Sequence, residues 1–206
     1  MQFLSFHKST QGDEGETLLK QYTIFAGVNG AGKTSLYNTV FSKSEALGKR
    51  INLDEIVREL GDWRDNRLQL EAGQKAVRLV HQFLREGISF HQETTLAGKS
   101  IFHTIKKAKN TGFEIVMYYV GVNNYDIAKE RIQSRIAKGG HGVDENLVEK
   151  RFSISLEHLK LAIPLCDTVH IYDNSSDTLS YILSIKHGVI EETALSLPQW
   201  FESVIL

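Results

Sequence analysis

The chain has 206 residues, of which 41% are hydrophobic and 24% charged, with a formal net charge of −1. These values are ordinary for a soluble globular protein, and this length predicts one domain spanning residues 1–206. The near-neutral charge gives no bulk electrostatic reason to expect nucleic-acid or membrane binding. No run approaches the roughly 18 apolar residues of a membrane span, and residues 1–8 lack the apolar core of a signal peptide. With Cys166 as its one cysteine, we expect a cytoplasmic protein without an intramolecular disulfide.

The first strong signal along the chain is a phosphate-binding loop. Residues 22–26 are short, apolar and rich in β-formers, and the apolar spacing of residues 36–41 predicts a helix. Between them, residues 27–34 read Gly-Val-Asn-Gly-Ala-Gly-Lys-Thr, which fits G-x-x-x-x-G-K-[ST]. Glycines let backbone N–H groups curl around a phosphate, and the following helix adds its positive end. A glycine-rich turn with an incidental lysine is the alternative.

This loop predicts a nucleotide site with a defined set of contacts. Lys33 would reach the β- and γ-phosphates, and the Thr34 hydroxyl would ligate Mg²⁺. The residues predicted to bind the nucleotide are Gly27, Asn29, Gly30, Ala31, Gly32, Lys33, Thr34 and Ser35.

A carboxylate follows the second predicted strand. The alternation of Ile51 and Leu53 predicts a short strand that ends near Asn52 or Leu53. Asp54 would then lie at the carboxyl end of that strand, the edge where open α/β sheets bind their ligands. On position alone, the alternative that Asp54 caps a helix beginning at Glu55 stays open.

A second polar group follows the third predicted strand. Residues 66–86 predict a long helix because their apolar side chains fall on one face. Residues 88–95 then predict a strand running into polar residues, with a further helix over residues 98–110. Glu93 and Thr95 fall at the carboxyl end of that strand. A carboxylate there can hold a sugar hydroxyl or help to position hydrated Mg²⁺.

A basic helix and a glycine hinge come next. Residues 113–122 are nearly all apolar, as in a parallel strand buried on both faces. Residues 125–138 predict a helix in which Arg131, Arg135 and Lys138 share one face, where they repel one another unless an anion is near. A solvated face is the alternative. Residues 139–142, Gly-Gly-His-Gly, then form a flexible hinge, so the region suits a lid that closes over phosphates.

The rest of the chain continues the alternation of helix and strand. The patterns predict a helix over residues 144–163, a strand over 167–174, a hairpin over 179–192 and a short closing helix over 198–204. Strands alternating with helices predict an α/β domain with a mostly parallel sheet.

Five stretches, taken together, resemble the zeta-toxin family of P-loop kinases. They occur in family order and comprise residues 27–35, 51–56, 93–100, 131–141 and 172–175. The last three read Glu-Thr-Thr-Leu-Ala-Gly-Lys-Ser, Arg-Ile-Gln-Ser-Arg-Ile-Ala-Lys-Gly-Gly-His and Tyr-Asp-Asn-Ser. The resemblance implies a P-loop NTPase-like and kinase-like three-layer sandwich. We expect its lid at about residues 125–150 and a C-terminal hairpin.

The resemblance also implies an activity. Characterised zeta toxins transfer the γ-phosphate of ATP to the 3′-hydroxyl of UDP-N-acetylglucosamine. It therefore implies a magnesium-dependent kinase that uses ATP on a nucleotide sugar, with an antitoxin protein as its partner. Asp54 matches the family's base on the sugar hydroxyl.

The same resemblance assigns the remaining site residues. Glu93 and Thr95 match the family's substrate-binding Glu-x-Thr pair. Arg131 and Arg135 are the nearest matches to the lid arginines that hold the transferring phosphate, with Arg151 as a further candidate. Together with Lys33 and Mg²⁺, these arginines would supply the positive charge that phosphoryl transfer needs.

Two departures from the family pattern keep other functions open. The phosphate loop lacks the proline common in characterised toxins, and the lid carries Gly-Gly-His. His141 is a candidate contact to phosphate or substrate, with hinge packing or solvent exposure as the alternative. A kinase for another small molecule or a nucleic-acid end is the second hypothesis, although the near-neutral charge argues against nucleic acid. An ATP-binding module without phosphotransfer is the third.

Overall fold

Seven strands form one mostly parallel sheet. The computed structural model describes residues 20–41, 47–140, 142–143 and 145–205. The strands are β1 (Gln21–Ala26), β2 (Lys49–Ile51), β3 (Phe90–Thr94), β4 (Glu114–Gly121), β5 (Thr168–Asp173), β6 (Ser180–Lys186) and β7 (Val189–Thr193). Their order in the sheet is β2-β3-β1-β4-β5-β6-β7. The first five are parallel, and β6 and β7 extend the sheet as an antiparallel hairpin.

Helices cover both faces of this sheet. They are α1 (Lys33–Leu36), which continues as a π-helical turn (Tyr37–Phe41), α2 (Leu53–Leu60), α3 (Asn66–Glu86), α4 (Ser100–Asn110), α5 (Tyr125–Ala137), α6 (Glu145–Ala162), which ends in a 3₁₀ turn (Ile163–Leu165), and α7 (Gln199–Ile205). One core cluster joins the sheet to α2, α3, α4, α6 and α7, and a smaller one joins it to α1 and α5. The result is the expected three-layer α/β sandwich with a C-terminal hairpin.

Strand alternation explains the two cores. In β1, Ile24 and Ala26 belong to the larger cluster, whereas Phe25 between them belongs to the smaller one. In β4, Tyr119 and Val120 divide between the two clusters in the same way. Because β1 and β4 are buried on both faces, they have the continuous apolar character that predicted parallel strands.

Most predicted elements lie where the patterns placed them. The helix over residues 66–86 is confirmed, and Gly87 ends it in the left-handed region, at φ 68°. The predicted strands and the hairpin are confirmed to within a few residues. Residues 9–17 are polar and contain glycine, which predicts a loop or hairpin turn, and they lie outside the described residues.

The second strand ends earlier than the pattern predicted. β2 ends at Ile51, and Asn52 has extended backbone angles of φ −126° and ψ 116°. Its Oδ1 accepts hydrogen bonds from the backbone N–H groups of Asp54 and Glu55, so Asn52 caps a helix that begins at Leu53. The alternative that Asp54 caps a helix beginning at Glu55 is therefore wrong.

The sheet topology brings the carboxyl ends of three strands to one edge. Because β1, β2 and β3 are parallel neighbours, their carboxyl ends meet on the same side of the sheet. The phosphate loop follows β1, Asn52 follows β2, and Thr95 follows β3. In the part of the chain that the structure describes, no helix is long and apolar enough to cross a membrane.

A matched pair of glycine substitutions tests the packing of α7. A Cβ added at Gly121 would come within 2.3 Å of the Trp200 ring, which is 4% exposed. We expect Gly121→Ala to lower the free energy of unfolding by about 1–3 kcal/mol, the usual cost of overpacking. Gly73→Ala is the control, because a Cβ there meets open space within α3. It should raise stability by about 0.5–1 kcal/mol.

Urea unfolding followed by circular dichroism measures both changes. A Gly121→Ala protein as stable as wild type would show that α7 does not pack on the end of β4 as described.

Candidate functional site

The phosphate loop depends on glycine at positions where a side chain has no room. Gly27 and Gly30 have φ of 137° and 82°. A Cβ at Gly27 would lie 2.2 Å from the carbonyl oxygen of Val120, and one at Gly30 would lie 2.4 Å from that of Ala128. The loop is thus seated against β4 and α5, with its backbone held in the left-handed conformations that a phosphate cradle needs.

Lys33 lies folded onto the loop. Its Nζ donates to the carbonyl oxygens of Gly27 at 2.8 Å and Val28 at 3.0 Å. Burial lowers the pKa of this ammonium group to about 8, although the carboxylates of Glu93 and Asp54 act in the opposite direction. The protein groups of the cleft therefore stabilise the positive charge of Lys33 poorly. A bound anion would supply the missing stabilisation, as expected for an anion-binding site.

Glu93 is the most highly connected side chain at the strand ends. Its Oε2 accepts a hydrogen bond from the Thr34 hydroxyl at 2.9 Å. Its Oε1 accepts from Arg50 Nη2 and from Asn52 Nδ2, each at 2.8 Å. The side chain is only 11% exposed. One carboxylate therefore joins β3 to the first helical turn after the phosphate loop, to β2 and to the residue that follows β2.

Asp54 lies in the first turn of α2, at the position that the Asn52 cap defines. It is half-buried and lines the same cleft as Lys33. Its charge acts to raise the pKa of both Lys33 and Arg151, so the carboxylate is electrostatically close to the cations of the cleft.

The two predicted lid arginines have different surroundings. Arg131 Nη1 donates to the carbonyl oxygen of Asn174 at 2.7 Å, and its Nη2 donates to that of Ser176 at 3.1 Å. Arg135, one turn later, is half-buried, and its Nε and Nη2 have no hydrogen-bond partner among the described residues. Lys138 is exposed. Arg131 is therefore hydrogen-bonded to the loop after β5, whereas Arg135 has donors available for a further acceptor.

A third arginine reaches the site from α6. Arg151 Nη1 donates to Asn29 Oδ1 in the phosphate loop at 3.1 Å. Burial lowers the pKa of its guanidinium, with Asp54 opposing. Asn174 supports the loop from the other side, since its Nδ2 donates to the Ala31 carbonyl at 2.7 Å.

The strained turn after β3 is held by the same helix. Leu96 is fully buried with φ of 60°, which is rare for a leucine. Its carbonyl oxygen accepts from His158 Nδ1 at 2.7 Å, and its N–H donates to Thr94 Oγ1 at 3.1 Å. Because the partner is a carbonyl, His158 carries its proton on Nδ1. Thr95, which lines the cleft, is thereby fixed between two anchored residues.

Residues of the phosphate loop, Asp54, Glu93 and the three arginines line one cleft of about 1520 Å³. Pockets for a single small ligand usually span about 300–1,000 Å³, so there is room for two ligands. The predicted site residues on its wall are Asn29, Gly30, Gly32, Lys33, Thr34, Ser35, Asp54, Glu93, Thr95, Arg131, Arg135 and Arg151. His141 lies outside the described residues.

Sequence reasoning missed two contributors. Nothing in the local pattern marked Arg50, because a charged residue in a short edge strand is common. Asn52 carried a readable signal, since Asn immediately before an apolar helical segment is a typical N-cap. The residues present suit a Mg²⁺–nucleotide, because Thr34 and Glu93 offer oxygen ligands beside a phosphate cradle that a Cβ would fill.

The lowered pKa of Lys33 predicts a specific pH dependence of stability. Between pH 8 and the usual lysine value of 10.5, the unfolded chain holds a proton that the folded chain has lost. The free energy of unfolding therefore rises with pH in this window, relative to a variant without the group. We expect wild type to gain stability over Lys33→Met from pH 7 to pH 9.5 in urea titrations. The control is Lys106→Met, which removes an exposed lysine of α4.

A constant difference between wild type and Lys33→Met across this range would contradict the buried environment described for Lys33.

Comparisons of the sequence and the fold identify several similar proteins. An uncharacterized protein of Haemophilus influenzae is 33% identical over 129 residues, covering 63% of this chain and 90% of that protein. The AvrRxo1-ORF1:AvrRxo1-ORF2 complex is similar in fold, with a TM-score of 0.69 in the structure with sulphate ions and 0.67 in the structure with ATP. Identity is 16% in both, over 90% of this chain and 63% of the matched chain.

The PezAT toxin–antitoxin system of Streptococcus pneumoniae is also similar, with a TM-score of 0.61 and 15% identity. That match covers 95% of this chain and 86% of the other. The zeta toxin family matches residues 14–186, most of the chain. With the phosphate loop, the sheet order and the basic cleft in place, the chain belongs to the zeta toxin family.

Proposed function

We propose that this protein is an ATP-dependent kinase that phosphorylates a hydroxyl of a UDP-amino sugar such as UDP-N-acetylglucosamine. The observation that carries the proposal is the convergence, in one cleft, of a phosphate loop and an acceptor-side carboxylate. Lys33 and Arg135 bring positive charge to the same cleft, and Asp54 faces it from α2. A module that only binds ATP has no need of a base in that place.

ATP would occupy the phosphate loop. Its β- and γ-phosphates would replace the carbonyl groups of Gly27 and Val28 as partners of Lys33. Thr34 would hold Mg²⁺, which supplies charge neutralisation for the phosphates when bound. The AvrRxo1 complex, a structural relative, has been determined with ATP, which supports this choice of nucleotide.

Asp54 would act as the base on the acceptor hydroxyl. The hydroxyl oxygen forms a bond to the γ-phosphorus while the bond from that phosphorus to the β–γ bridging oxygen breaks, so ADP leaves. The hydroxyl proton passes to the Asp54 carboxylate. Phosphoryl transfer needs mainly positioning and charge neutralisation, so one carboxylate suffices for the proton.

The lid cations would stabilise the transferring phosphate. Arg135 is best placed for this role because two of its buried nitrogens, Nε and Nη2, have no hydrogen-bond partner among the described residues. Arg151 would act beside it, from its contact with Asn29. Arg131 would act as a lid arginine chiefly through the loop that it holds at Asn174.

Thr95 would bind the acceptor, and His141 would contact phosphate or substrate. The family pattern assigns Glu93 to the acceptor as well, although its observed partners are Thr34, Arg50 and Asn52.

Two further parts of the proposal concern the setting of the enzyme. Residues 1–206 would form a single kinase domain located in the cytoplasm, which the buried free thiol of Cys166 supports. An antitoxin protein would be its partner, since PezAT is a toxin–antitoxin system.

Substitutions at Asp54 and Lys33 separate chemistry from binding. We expect Asp54→Asn to reduce phosphotransfer by at least about 100-fold, as loss of a general base usually does, while ATP binds as in wild type. Lys33→Ala should lose both phosphotransfer and tight ATP binding. Calorimetric titration measures binding, and mass spectrometry measures transfer. Full turnover by Asp54→Asn would rule out its role as the base.

The two lid arginines should differ in variants. Arg135→Ala should lose turnover by about 100-fold or more while its melting temperature stays near that of wild type. Arg131→Ala should lose both turnover and stability, because it leaves the carbonyls of Asn174 and Ser176 without their partner. Exposed Lys138→Ala is the control. Equal effects of Arg131→Ala and Arg135→Ala on stability would contradict the division of roles.

The acceptor is tested by incubation with ATP, Mg²⁺ and a panel of nucleotide sugars. A mass increase of one phosphate on a UDP-amino sugar is the expected result. Intact ATP hydrolysis without any phosphorylated UDP-sugar would favour the kinase for another small molecule or nucleic-acid end.

A further inference from the structure

Helix α5, which carries Arg135, ends in a hydrogen-bonded cap. Gly139 has a φ of 79°, and its N–H donates to the Ile136 carbonyl at 2.9 Å. The N–H of Gly140 donates to the Arg135 carbonyl, also at 2.9 Å. With Lys138 as the C-cap, these two bonds form a Schellman motif. The first two glycines of the predicted hinge are therefore hydrogen-bonded to the last turn of α5, where Arg135 lies.

Two glycines, one in this cap and one two residues beyond it, pack closely against side chains. A Cβ added at Gly140 would lie 2.7 Å from Arg135 Cγ and 3.0 Å from the Arg135 carbonyl oxygen. A Cβ added at Gly142, which is buried, would lie 2.6 Å from Trp63 Cη2 and 2.9 Å from Ile136 Cδ1. The chain after α5 therefore supports the stem of Arg135 at the first glycine and contacts the Trp63 ring at the second.

Trp63 is itself held in a hydrogen-bonded turn between α2 and α3. Asp62 Oδ1 accepts from the Arg64 N–H at 3.0 Å, and Gln69 Nε2 donates to the Trp63 carbonyl at 2.9 Å. The ring packs against the larger core cluster, and Arg64 Cζ lies 4.8 Å from its centre. Because both the backbone and the ring of Trp63 are held, the ring gives Gly142 a fixed surface to pack against.

Trp63 connects the two halves of the cleft. It follows α2, whose first turn carries Asp54, and it contacts the chain segment after α5, which carries Arg135. All three side chains line the same cleft. At 1.5 Å per residue, α2 is about 12 Å long, so Trp63 stands at the opposite end of this helix from Asp54. The ring is therefore placed to set the separation between the carboxylate and the arginine.

We propose that Trp63 is a positioning residue for phosphoryl transfer: its ring, packed against Gly142, holds the end of α5 so that Arg135 reaches the transferring phosphate. This inference rests on the proposed function, which assigns Arg135 to that phosphate and Asp54 to the acceptor hydroxyl. It gives Trp63 no contact with the nucleotide. Disturbing the contact between Trp63 and Gly142 should therefore slow the transfer step and leave nucleotide binding intact.

Gly142→Ala tests the contact directly, because it adds one Cβ against the Trp63 ring. A misplacement of about 1 Å can cost about 100-fold in rate. We expect kcat for transfer from ATP to UDP-N-acetylglucosamine to fall about 10–100-fold, while the Kd for ADP stays within about 2-fold of wild type. ADP is the binding probe because it lacks the phosphate that Arg135 would contact. Mass spectrometry measures transfer, and calorimetry measures ADP binding.

A second substitution on the other side of the contact makes the test specific. Trp63→Phe deletes the outer part of the ring, which includes the atoms nearest Gly142, and by itself should lower kcat several-fold. It also makes room for the Cβ that Gly142→Ala adds. The double variant should therefore have about the same kcat as Trp63→Phe alone, as expected for coupled residues in contact.

Gly73→Ala is the matched control. It makes the same change on α3, where a Cβ meets no atom within 4 Å. Its kcat should stay within about 2-fold of wild type, as is usual for a substitution that meets no neighbour.

The outcomes separate this role from general damage to the cleft. An unchanged kcat in folded Gly142→Ala would overturn the inference, as would losses that multiply in the double variant. A fall in ADP affinity as large as the fall in kcat would overturn it in favour of a distorted nucleotide site. If Gly142→Ala fails to fold, an unchanged kcat in Trp63→Phe would overturn it instead.

Failure of the proposed function gives a different result. Wild-type protein that binds ADP but phosphorylates no UDP-amino sugar would refute the proposed function and the inference with it. Normal transfer by wild type, with unchanged kcat in both single variants, would refute the inference alone.

Discussion

The site depends on one constraint. The parallel strands β1, β2 and β3 end at the same edge of the sheet, and the polar side chains there need hydrogen-bond partners. Glu93 meets this constraint by accepting from Thr34, Arg50 and Asn52, which come from the chain segments after β1, in β2 and after β2. A buried carboxylate is costly unless it is paired and hydrogen-bonded. Here its partners belong to α1, to β2 and to the N-cap of α2. The hydrogen bonds that offset the cost of burying Glu93 therefore also fix the shape of the cleft.

The charge of the cleft follows from this arrangement. Lys33, Arg135 and Arg151 approach one another, and Arg135 and Arg151 both push the pKa of Lys33 down, in addition to burial. Such a concentration of cations is unfavourable in the free protein and becomes favourable when a polyanion enters. Asp54 and Glu93 balance part of that charge, one from each half of the cleft. The electrostatics thus favour a bound phosphate over an empty site.

Local sequence patterns predicted the parts of the site that are contiguous in the chain. The phosphate loop and α3 were readable because loop chemistry and helical periodicity act over a few residues. Asp54 was placed correctly at the edge, but the sequence left open whether it caps a helix, since both Asn52 and Asp54 are good capping residues and only backbone conformation distinguishes them. The conversion of α1 to a π-helical turn at Tyr37 had no sequence signal.

Long-range contacts were beyond such patterns. Arg131 and Arg135 lie one turn apart on the same helix face, and the sequence treats them alike. Only the folded chain brings Asn174 and Ser176 to Arg131, while two buried nitrogens of Arg135 have no hydrogen-bond partner among the described residues. The pairing of His158 with Leu96 spans 62 positions and supports a backbone conformation that no pattern predicts for leucine.

In the proposed function, Asp54 and the phosphate loop act on two substrates in one cleft. The most direct measurement supplies ATP whose γ-phosphate carries heavy oxygen to wild type and to Asp54→Asn, together with a small-molecule extract of bacterial cells. Mass spectrometry then follows the labelled phosphate. We expect a labelled phosphorylated nucleotide sugar with wild type and none with Asp54→Asn. Label found only in inorganic phosphate, or the same labelled product from both proteins, would contradict it.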